Sequence, residues 1–397
     1  MCSRANPIHC ILPPYLLQEI KQNGTAVQQE RAEQNLVNAQ HIRAQRAATS
    51  GETAFVDADD AYTIVKERLV YDAEFGSILP GILVRGEGDP PLDDPAVNEA
   101  YDGAGATYDL FKDAYGRNSI DDRGMVIEST VHYREGYDNA FWNGRQMIYG
   151  DGDEDLPEDQ RLFNRFTIAP DVIAHELTHG VTQFEAGLMY RDQPGALNES
   201  ISDVFGALCN QHMHGQTAAE ADWLIGKGLF TANVNGHAIR SLKDPGTAYD
   251  DPVLGRDIQP GHMEEYVQTR EDSGGVHINS GIPNRAFYVV SVELGGFAWE
   301  KAGKIWYVAL TEKLAGDSNF QDAAALTYLT AGELYGQGSI EQKAVRFGWA
   351  EVGIDIDNGN TGGGTPGGTR GGAGAQPTGC FQSIRSLSAF QWLRQKI

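Results

Sequence analysis

The spacing of apolar residues changes near the middle of this 397-residue chain. Between about residues 65 and 150, short apolar runs alternate with Gly, Asp and Asn. This predicts strands joined by turns, with one helix from about Val97 to Tyr115. From Asp171 onward, apolar residues recur three and four positions apart, as on the buried face of a helix. The clearest such stretches are Pro283 to Leu294, Ala298 to Leu314 and Phe320 to Tyr335. We therefore predict an α+β fold, with a β-rich lobe over residues 51–170 and an α-helical lobe over residues 171–357.

The two ends of the chain differ in composition from these lobes. Residues 1–50 contain Pro13 and Pro14, followed by a polar stretch rich in Gln and Ala that predicts a helix from about Ala26 to Ala48. Residues 358–378 are rich in Gly, Thr and Pro, which indicates a flexible linker. The final segment, Cys380 to Ile397, is apolar and slightly basic, and fits either a short docking helix or a disordered tail. We assign no role to residues 358–397.

The first candidate for chemistry is the motif H-E-x-x-H at residues 175–179. Steps of about 100° per helical residue bring His175 and His179 onto one face, where two imidazoles can bind one zinc ion. Glu176 is then placed to act as a general base toward a water at the metal. The alternative is a buried helix whose histidines are only hydrogen-bonded.

A second acidic pair supplies the rest of a metal site. Glu199 and Asp203 are also four residues apart, so Glu199 is a candidate third zinc ligand. Asp203 can accept a hydrogen bond from the second ring nitrogen of His175. The alternative is two solvated acids at a helix start, but Ile201 and Val204 indicate that this helix is packed inside.

Four further motifs accompany the zinc helix: Asn139 to Gly144, Gly187 to Tyr190, Asn198 to Asp203 and Gly274 to Gly281. In this order, they resemble the motifs of the thermolysin-like neutral zinc metalloendopeptidases. The resemblance covers about residues 65–353. It implies a two-lobe fold with the zinc helix between the lobes, and one catalytic Zn²⁺ bound by His175, His179 and Glu199.

The resemblance also implies roles in catalysis. Glu176 matches the catalytic base, Tyr190 and His277 match the groups that stabilise the oxyanion, and Asp272 matches the acid that orients His277. Without the resemblance, Tyr190 would be a rim tyrosine, His277 a loop histidine and Arg240 a surface cation.

Substrate-binding roles follow in the same way. Arg240 matches the arginine that holds a substrate carbonyl, and Asn139 and Ala140 match the edge that binds peptide backbone as an added strand. The family prefers a bulky apolar side chain just after the scissile bond. Six apolar residues match that pocket: Phe163, Phe166, Val172, Ile225, Leu229 and Ile239.

The chain departs from the family at its paired calcium site. Asp171 and Asp222 match two of that site's five acids, but Asn210, Leu224 and Lys227 stand at the other three. Because a lysine cannot bind Ca²⁺, we predict that the paired calcium site is absent and that the Lys227 ammonium replaces the metal's charge. A further calcium position is also altered, with His237 where an aspartate is usual. The alternative is that calcium binds elsewhere in this acidic chain.

Residues 1–50 resemble the short propeptides of the protealysin subgroup, which carry a Pro-Pro motif. This implies a self-inhibited precursor whose own propeptide occupies the cleft until it is cut. We expect Pro13 and Pro14 to stiffen an extended segment, so that Tyr15 or Leu16 fills an apolar subsite. The alternatives are a disordered tail and a Cys10 thiolate that binds the zinc.

Composition limits the partners and the location. A net charge of −24 argues against nucleic acid and anionic membranes, and no apolar run approaches the roughly 20 residues that span a bilayer. The four cysteines have neither disulfide nor zinc-finger spacing. We expect a monomer that acts on protein or peptide substrates. Because no signal peptide is evident, we expect synthesis in the cytoplasm and export by a non-classical route.

Two other functions fit the zinc motif less well. A peptide-binding pseudoenzyme would need neither Glu176 nor His277, yet both are present. An aminopeptidase would need a Glu-Asn gate for a free amine before the zinc helix, and none is evident.

Overall fold

The computed structural model describes the backbone of residues 9–49 and 65–356, and the side chains of residues 10–39 and 65–356. These residues all belong to one compact unit. The prediction of a β-containing N-terminal half and an α-helical C-terminal half is confirmed. The exact lobe boundaries stay predictions. The propeptide boundary near residue 50 and the tail at residues 358–397 lie outside the described residues.

A six-stranded sheet forms the N-terminal half. Its strands are β1 (His9–Cys10), β2 (Arg68–Asp72), β3 (Ile82–Arg85), β4 (Ile127–Val131), β5 (Ala140–Trp142) and β6 (Met147–Tyr149). Their order is β1-β5-β6-β4-β2-β3, with parallel pairing of β2 with β4 and of β4 with β6. Strand β1 belongs to the N-terminal segment and pairs antiparallel with β5, which places Cys10 opposite Phe141.

Four short strands form two separate ribbons later in the chain. Strand β7 (Leu224–Ile225) pairs with β8 (Arg240–Ser241), and β9 (Asp250–Asp251) pairs with β10 (Gly255–Arg256). In the first ribbon, Arg240 lies directly opposite Ile225.

The helices follow the predicted pattern closely. Those expected near residues 26–48, 97–115, 283–294 and 320–335 are confirmed. The helices are α1 (Pro14–Asn23), α2 (Ala26–Thr49), α3 (Pro95–Tyr115), α4 (Pro170–Phe184), α5 (Asp192–His214), α6 (Asp272–Asn279), α7 (Gly281–Leu294), α8 (Ala302–Glu312), α9 (Phe320–Tyr335) and α10 (Ile340–Glu351). None of the helices in the described ranges is long and apolar enough to cross a membrane.

Helix α4 carries the H-E-x-x-H motif and is enclosed by its neighbours. Pro170 opens it at a position where proline is favourable, and every residue from Asp171 to Thr182 is buried. Glycines allow the close packing. A Cβ at Gly206 of α5 would lie 2.6 Å from the Asp171 carbonyl oxygen, and one at Gly103 of α3 would lie 2.3 Å from Ile173. The motif therefore lies on a rigid helix between α3 and α5.

The N-terminal segment folds as a short strand followed by a helical hairpin. Helices α1 and α2 pack against each other, and Leu16, Leu17 and Ile20 of α1 are buried in the main core. Because these apolar side chains contribute to the same core as the sheet and α4, the segment is an integrated part of the described fold.

Candidate active site

Three side chains converge at the centre of the molecule as a metal site requires. The Nε2 atoms of His175 and His179 lie 3.1 Å apart, and each lies 3.5 Å from a carboxylate oxygen of Glu199. Tetrahedral zinc with bonds of about 2.1 Å holds its ligand atoms roughly 3.4 Å from one another. Glu199 Oε2 is buried and has no hydrogen-bond partner among the described residues. The three residues therefore fit one zinc ion.

Each zinc-ligand histidine is oriented through its other ring nitrogen. His175 Nδ1 lies 2.8 Å from Asp203, as the sequence predicts. His179 Nδ1 lies 2.8 Å from Asn198 Oδ1 and 2.9 Å from Ser202 Oγ. Such contacts fix the tautomer and rotation of a metal-binding imidazole.

Glu176 lies beside the two histidines and is completely buried. Its carboxylate is within 4.8 Å of their ring nitrogens, Oε2 accepts a hydrogen bond from the Trp142 amide at 3.0 Å, and Oε1 has no partner among the described residues. Burial raises the pKa of Glu176 to about 8, and the charge of Glu199 adds to this effect. A metal cation at the histidines would lower this pKa. The unpartnered oxygen is available to a water molecule.

Tyr190 and His277 lie together beside Glu199. The Tyr190 hydroxyl is 3.0 Å from His277 Nε2 and donates a short hydrogen bond to Glu199. His277 Nδ1 lies 2.5 Å from Asp272 Oδ1. Burial alone would lower the pKa of His277, but Asp272 raises it above its ordinary value. A protonated His277 and the Tyr190 hydroxyl can both donate to a developing negative charge.

An irregular turn aims His277 at this point. Residues 272–275 all have positive φ, and the second oxygen of Asp272 accepts the His277 amide at 2.8 Å. At Gly274 a Cβ would lie 2.3 Å from Asp192, so the turn needs glycine there. This turn brings the Asp272 carboxylate close to the His277 ring, which it orients.

Arg240 is buried and does not behave as a surface cation. Its guanidinium binds Asp203 with Nε–Oδ2 and Nη2–Oδ1 distances of 2.9 and 2.8 Å. Burial would lower the pKa of Arg240, but Asp203 holds it above its ordinary value. The remaining Nη1 donates to the carbonyl of Ile11 at 3.0 Å. Arg240 thus contacts both Asp203, which lies against His175, and a backbone carbonyl of the N-terminal segment.

Residues 10–12 of the N-terminal segment lie against these groups. The Cys10 carbonyl oxygen lies 3.1 Å from His277 Nε2, and the Ile11 amide donates to the Ala140 carbonyl at 3.2 Å. The Leu12 amide donates to Asn139 Oδ1 at 3.0 Å. The segment is therefore held by main-chain hydrogen bonds as an added strand.

This placement corrects the prediction for the Pro-Pro motif. We expected Pro13 and Pro14 to form an extended plug, with Tyr15 or Leu16 in an apolar subsite. Pro13 is extended, but Pro14 begins α1, so the two prolines do not form one extended segment. Proline is favourable in the first turn of a helix because its missing N–H is not needed there, so the motif ends the strand instead of forming it. That Tyr15 or Leu16 fills an apolar subsite stays a prediction.

The position of the Cys10 side chain does not support the zinc-binding role that we considered for its thiolate. Its side chain belongs to an apolar cluster with Tyr133, Tyr137, Phe141 and Ile148. Among the described residues, the group around His175 and His179 that could hold a metal contains no cysteine. The contact of Cys10 with His277 is made by its backbone carbonyl oxygen, 3.1 Å from Nε2.

The six predicted pocket residues are all buried in one apolar core that also contains Ile11 and Leu12. Ile239 connects them to the polar groups, because it precedes Arg240 and its amide donates to the Ile225 carbonyl at 2.9 Å. Val172 lies one turn before His175 on α4. The structure therefore places apolar surface directly beside the candidate zinc ligands.

Several polar contacts at the site were not predicted from the sequence. Asn198 and Ser202 lie on the face of α5 that carries Glu199 and Asp203, so their spacing could have revealed them. Asn284 donates to Asp203 at 2.8 Å, and Gln259 donates to the His277 carbonyl at 2.7 Å. These last two come from distant parts of the chain and have no local signal.

The region that matches the family's calcium site contains an ion pair. Lys227 Nζ lies 2.7 Å from Asp222 Oδ2, and both side chains are partly exposed. Asp171 is buried and accepts the Gly226 and Val172 amides at 3.0 and 2.8 Å. Burial raises the pKa of Asp171 to about 7, and the charge of Asp222 adds to this.

Comparison with known proteins extends the resemblance to almost the whole described chain. Residues 17–183 match the family described as thermolysin metallopeptidase, catalytic domain, and residues 186–354 match thermolysin metallopeptidase, alpha-helical domain. The precursor of protealysin, a metalloproteinase from Serratia proteamaculans, is 46% identical. The alignment has a TM-score of 0.77 and covers 87% of this chain and 99% of that one.

Two named proteases are also similar along most of their length. An extracellular metalloprotease from Pectobacterium carotovorum subsp. carotovorum is 48% identical over 354 residues, which cover 89% of this chain and 98% of that protein. Protease PrtS from Photorhabdus sp. (strain Az29) is 45% identical over 349 residues, which cover 87% and 92%.

The first of these relatives overturns one expectation. We expected a protein made in the cytoplasm and exported by a non-classical route, because no signal peptide is evident. A relative that is named extracellular points to secretion, so that expectation is wrong. The absence of a recognisable apolar leader was too weak a basis for it. From these matches and the geometry of the site, the chain belongs to the thermolysin family of metallopeptidases, as a zinc endopeptidase with an N-terminal propeptide.

Proposed function

We propose that this endopeptidase cleaves peptide bonds on the N-terminal side of bulky hydrophobic residues, and that its propeptide inhibits it by binding as a substrate does. One observation carries the proposal. The carbonyl and amide groups of residues 10–12 are bound by His277, Ala140, Arg240 and Asn139. These four residues are the ones that the family resemblance assigns to substrate binding and oxyanion stabilisation.

His175, His179 and Glu199 would hold the zinc. Bound there, zinc supplies Lewis acidity toward water and the substrate carbonyl. Glu176 takes a proton from the attacking water and passes it to the leaving nitrogen, which suits a buried carboxylate beside the metal-binding histidines. Its hydrogen bond from the Trp142 amide fixes one oxygen and leaves the other for the water.

His277 and Tyr190 stabilise the oxyanion that forms when water attacks the amide carbonyl. The Cys10 carbonyl already lies 3.1 Å from His277 Nε2, so a substrate carbonyl there is within reach of a donor. Asp272 orients His277 and favours its protonated form. Donors fixed in advance need no reorganisation during the reaction, which makes such stabilisation effective.

Substrate position and preference come from two features of the cleft. Asn139, Ala140 and Arg240 bind three consecutive backbone groups, so the peptide is held in one register. The apolar pocket then receives the side chain that follows the scissile bond. Burial of a Leu, Ile or Phe side chain there is worth about 1.5–3 kcal/mol, which accounts for the proposed hydrophobic preference.

We also propose that the paired calcium site is absent and that the enzyme acts as a monomer. The Lys227 ammonium pairs with Asp222 and lies within the electrostatic range of Asp171. A cation fixed in the protein thus replaces part of the charge that a metal would bring. The net charge of −24 favours separate molecules.

The test follows the full-length chain and a Glu176→Ala variant over time in the presence of casein. We expect the wild type to lose about 50 N-terminal residues and to cleave casein, because only it can activate water. Both reactions should stop when zinc is chelated and resume when zinc is restored. The cut sites in casein, determined by mass spectrometry, test the preference for a bulky apolar residue after the bond. A wild type that loses residues 1–50 and still leaves casein intact would sink the proposal.

A further inference from the structure

The N-terminal segment is bound in a register that singles out one of its own peptide bonds. The carbonyl of Cys10 faces His277, and the next amide, of Ile11, faces the Ala140 carbonyl. The Ile11 carbonyl then accepts from Arg240, and the Leu12 amide donates to Asn139. Four consecutive backbone groups thus contact four different residues of the site.

This register fixes the subsites. The bond to be cut is the one whose carbonyl lies at the oxyanion donors and whose nitrogen lies just beyond them. In this segment that bond joins Cys10 to Ile11. Ile11, the residue that follows it, is completely buried in the apolar core that contains the predicted pocket residues. A branched apolar side chain is what that pocket prefers under the proposed function.

We propose that the enzyme hydrolyses its own Cys10–Ile11 bond as the first processing step. This inference rests on the proposed function and adds to it a specific bond. Water adds its hydroxyl to the Cys10 carbonyl carbon, the C–N bond breaks, and a proton goes to the Ile11 nitrogen. The products are a peptide that ends in the Cys10 carboxylate and a chain that begins with the Ile11 amine.

This cut alone does not free the cleft, so it precedes removal of the propeptide. After it, Leu16, Leu17 and Ile20 still anchor α1 in the core. Polar side chains of α2 also remain bound, with Gln28 donating to the Gln160 carbonyl at 2.8 Å and Arg31 lying 3.2 Å from Asp153. The segment that begins at Ile11 therefore stays docked until a later cut near residue 50.

The bound register predicts a single cleavage site, whereas the hydrophobic preference alone allows several. In a loosely bound tail, the bonds before Ile8, Leu12, Leu16 and Leu17 would qualify equally well, because each of these residues is a bulky apolar residue. The docked strand selects only the bond before Ile11. The position of the first cut thus separates docking as a substrate from random trimming.

The experiment uses the full chain with zinc and a Glu176→Gln variant as the inactive control. Intact mass and N-terminal sequencing should show an early species that begins with Ile11, before the loss of about 50 residues, and only in the wild type. Its rate constant should stay the same over a tenfold dilution, because the reaction is intramolecular.

Two substitutions test the role of the side chain at the pocket. Ile11→Ala should slow this cut by roughly tenfold or more, since apolar pockets discriminate by that order for a few methylene groups. Val27→Ala, at an exposed apolar position of α2, should leave the rate unchanged. Alkylation of Cys10 in the Glu176→Gln chain, mapped by mass spectrometry, reports docking without catalysis. Cys10 should be protected in that chain both with and without the Ile11→Ala substitution.

The outcomes separate the two proposals. If the wild type matures and cleaves casein but its first cut lies elsewhere, or Cys10–Ile11 is never cut, this inference is wrong and the proposed function stands. If Ile11→Ala cuts at the wild-type rate, the assignment of Ile11 to the pocket is wrong. If neither the segment nor casein is cut by zinc-loaded wild type, the proposed function itself has failed.

Discussion

At the scale of single residues, Asp203 contacts more groups of the site than the one histidine, His175, that we predicted as its partner. Its carboxylate lies 2.8 Å from His175 Nδ1, accepts from Arg240, and accepts from Asn284 Nδ2 at 2.8 Å. Burial would raise the pKa of Asp203, but Arg240 and His175 lower it to about 2, so it stays ionised. One buried anion thus orients a zinc ligand and neutralises the cation that holds the propeptide backbone.

Asp203→Asn should therefore weaken zinc binding and fold stability together. Loss of the charge that supports His175 is expected to lower zinc affinity by about 10- to 100-fold. It also leaves Arg240 buried without its counter-ion, which costs about 3–5 kcal/mol of unfolding free energy. Competition with a zinc chelator measures the first effect, and urea denaturation of the full chain measures the second.

The matched control is Asp222→Asn, which removes one member of a partly exposed pair with Lys227. Such pairs contribute at most about 1 kcal/mol. If Asp203→Asn behaves like this control in both measurements, the carboxylate does not have the linking role that its contacts indicate.

His175 and His179 could be predicted as candidate zinc ligands because helical spacing brings residues four apart onto one face. Glu176 was predicted from the H-E-x-x-H motif, and Glu199 from its pairing with Asp203. Asn198 and Ser202 obey the same rule and were missed only because amide and hydroxyl side chains have many uses. Asn284 and Gln259 could not be found in this way, since their contacts arise when α7 and a loop pack against α5 and α6. Sequence patterns report periodicity along one element and not the contacts between elements.

At the scale of elements, helix α2 is docked chiefly by polar contacts on one face. Gln28, Arg31 and Asn35 lie three and four positions apart, and each contacts the catalytic part of the chain. Arg31 is 2.9 Å from Asp155 and 3.2 Å from Asp153, and Asn35 donates to Asp138 at 3.2 Å. Of the α2 side chains that the structure describes, Ala32 and Leu36 also pack against the main core, so polar contacts and a small apolar contact together stabilise the docked helix.

The charge of Arg31 matters because two of its neighbours are buried acids. Burial raises the pKa values of Asp138 and Asp153, and the guanidinium of Arg31 counteracts this effect at both. Asp138 precedes Asn139, which binds the Leu12 amide. The anchor of α2 and the strand that fills the cleft thus meet in one short stretch of chain.

Arg31→Ala should accelerate loss of the propeptide by roughly tenfold or more, because it leaves buried carboxylates without their counter-ion in the docked state only. The rate is measured from the mass of the full chain during maturation. The control is Lys21→Ala, which breaks an ion pair with Glu33 that lies wholly within the propeptide and is half exposed. Equal rates for wild type and Arg31→Ala would show that the cation does not hold α2 in place.

Elements with a strong period could be predicted, whereas elements that depend on a partner could not. The period of 3.6 residues located α9 at its observed bounds and α3 and α7 within two residues. Strand β1 has only two residues and exists through its pairing with β5, so no local pattern announces it. Because we did not predict β1, we expected the inhibitory contact at residues 13–16, whereas residues 10–12 make the observed contacts with the site.

At the scale of the whole molecule, a chain with a net charge of −24 must control repulsion among its carboxylates, and under our proposal it does so without the paired calcium site of its family. Acidic side chains, both buried and exposed, are instead paired with cations of the protein itself. Arg240 pairs with Asp203, Arg31 with Asp153 and Lys227 with Asp222. Fixed cations do not depend on the calcium concentration of the surroundings, so the stability of such a fold should not depend on it either.

The melting temperature of the full chain should therefore be nearly unchanged between calcium-free and millimolar calcium solutions, when zinc occupancy is held constant and verified by metal analysis. The ion pair of Lys227 provides a second readout. Lys227→Met keeps the length of the side chain but removes its charge, and should lower the melting temperature by no more than about 2 °C, since a partly exposed pair contributes about 0–1 kcal/mol. This variant should also stay insensitive to calcium, because Asn210 and Leu224 cannot replace the carboxylates that a paired site requires. A chelator series that lowers the melting temperature of the wild type at constant zinc would contradict the proposal, and calcium must then bind at another group of acids.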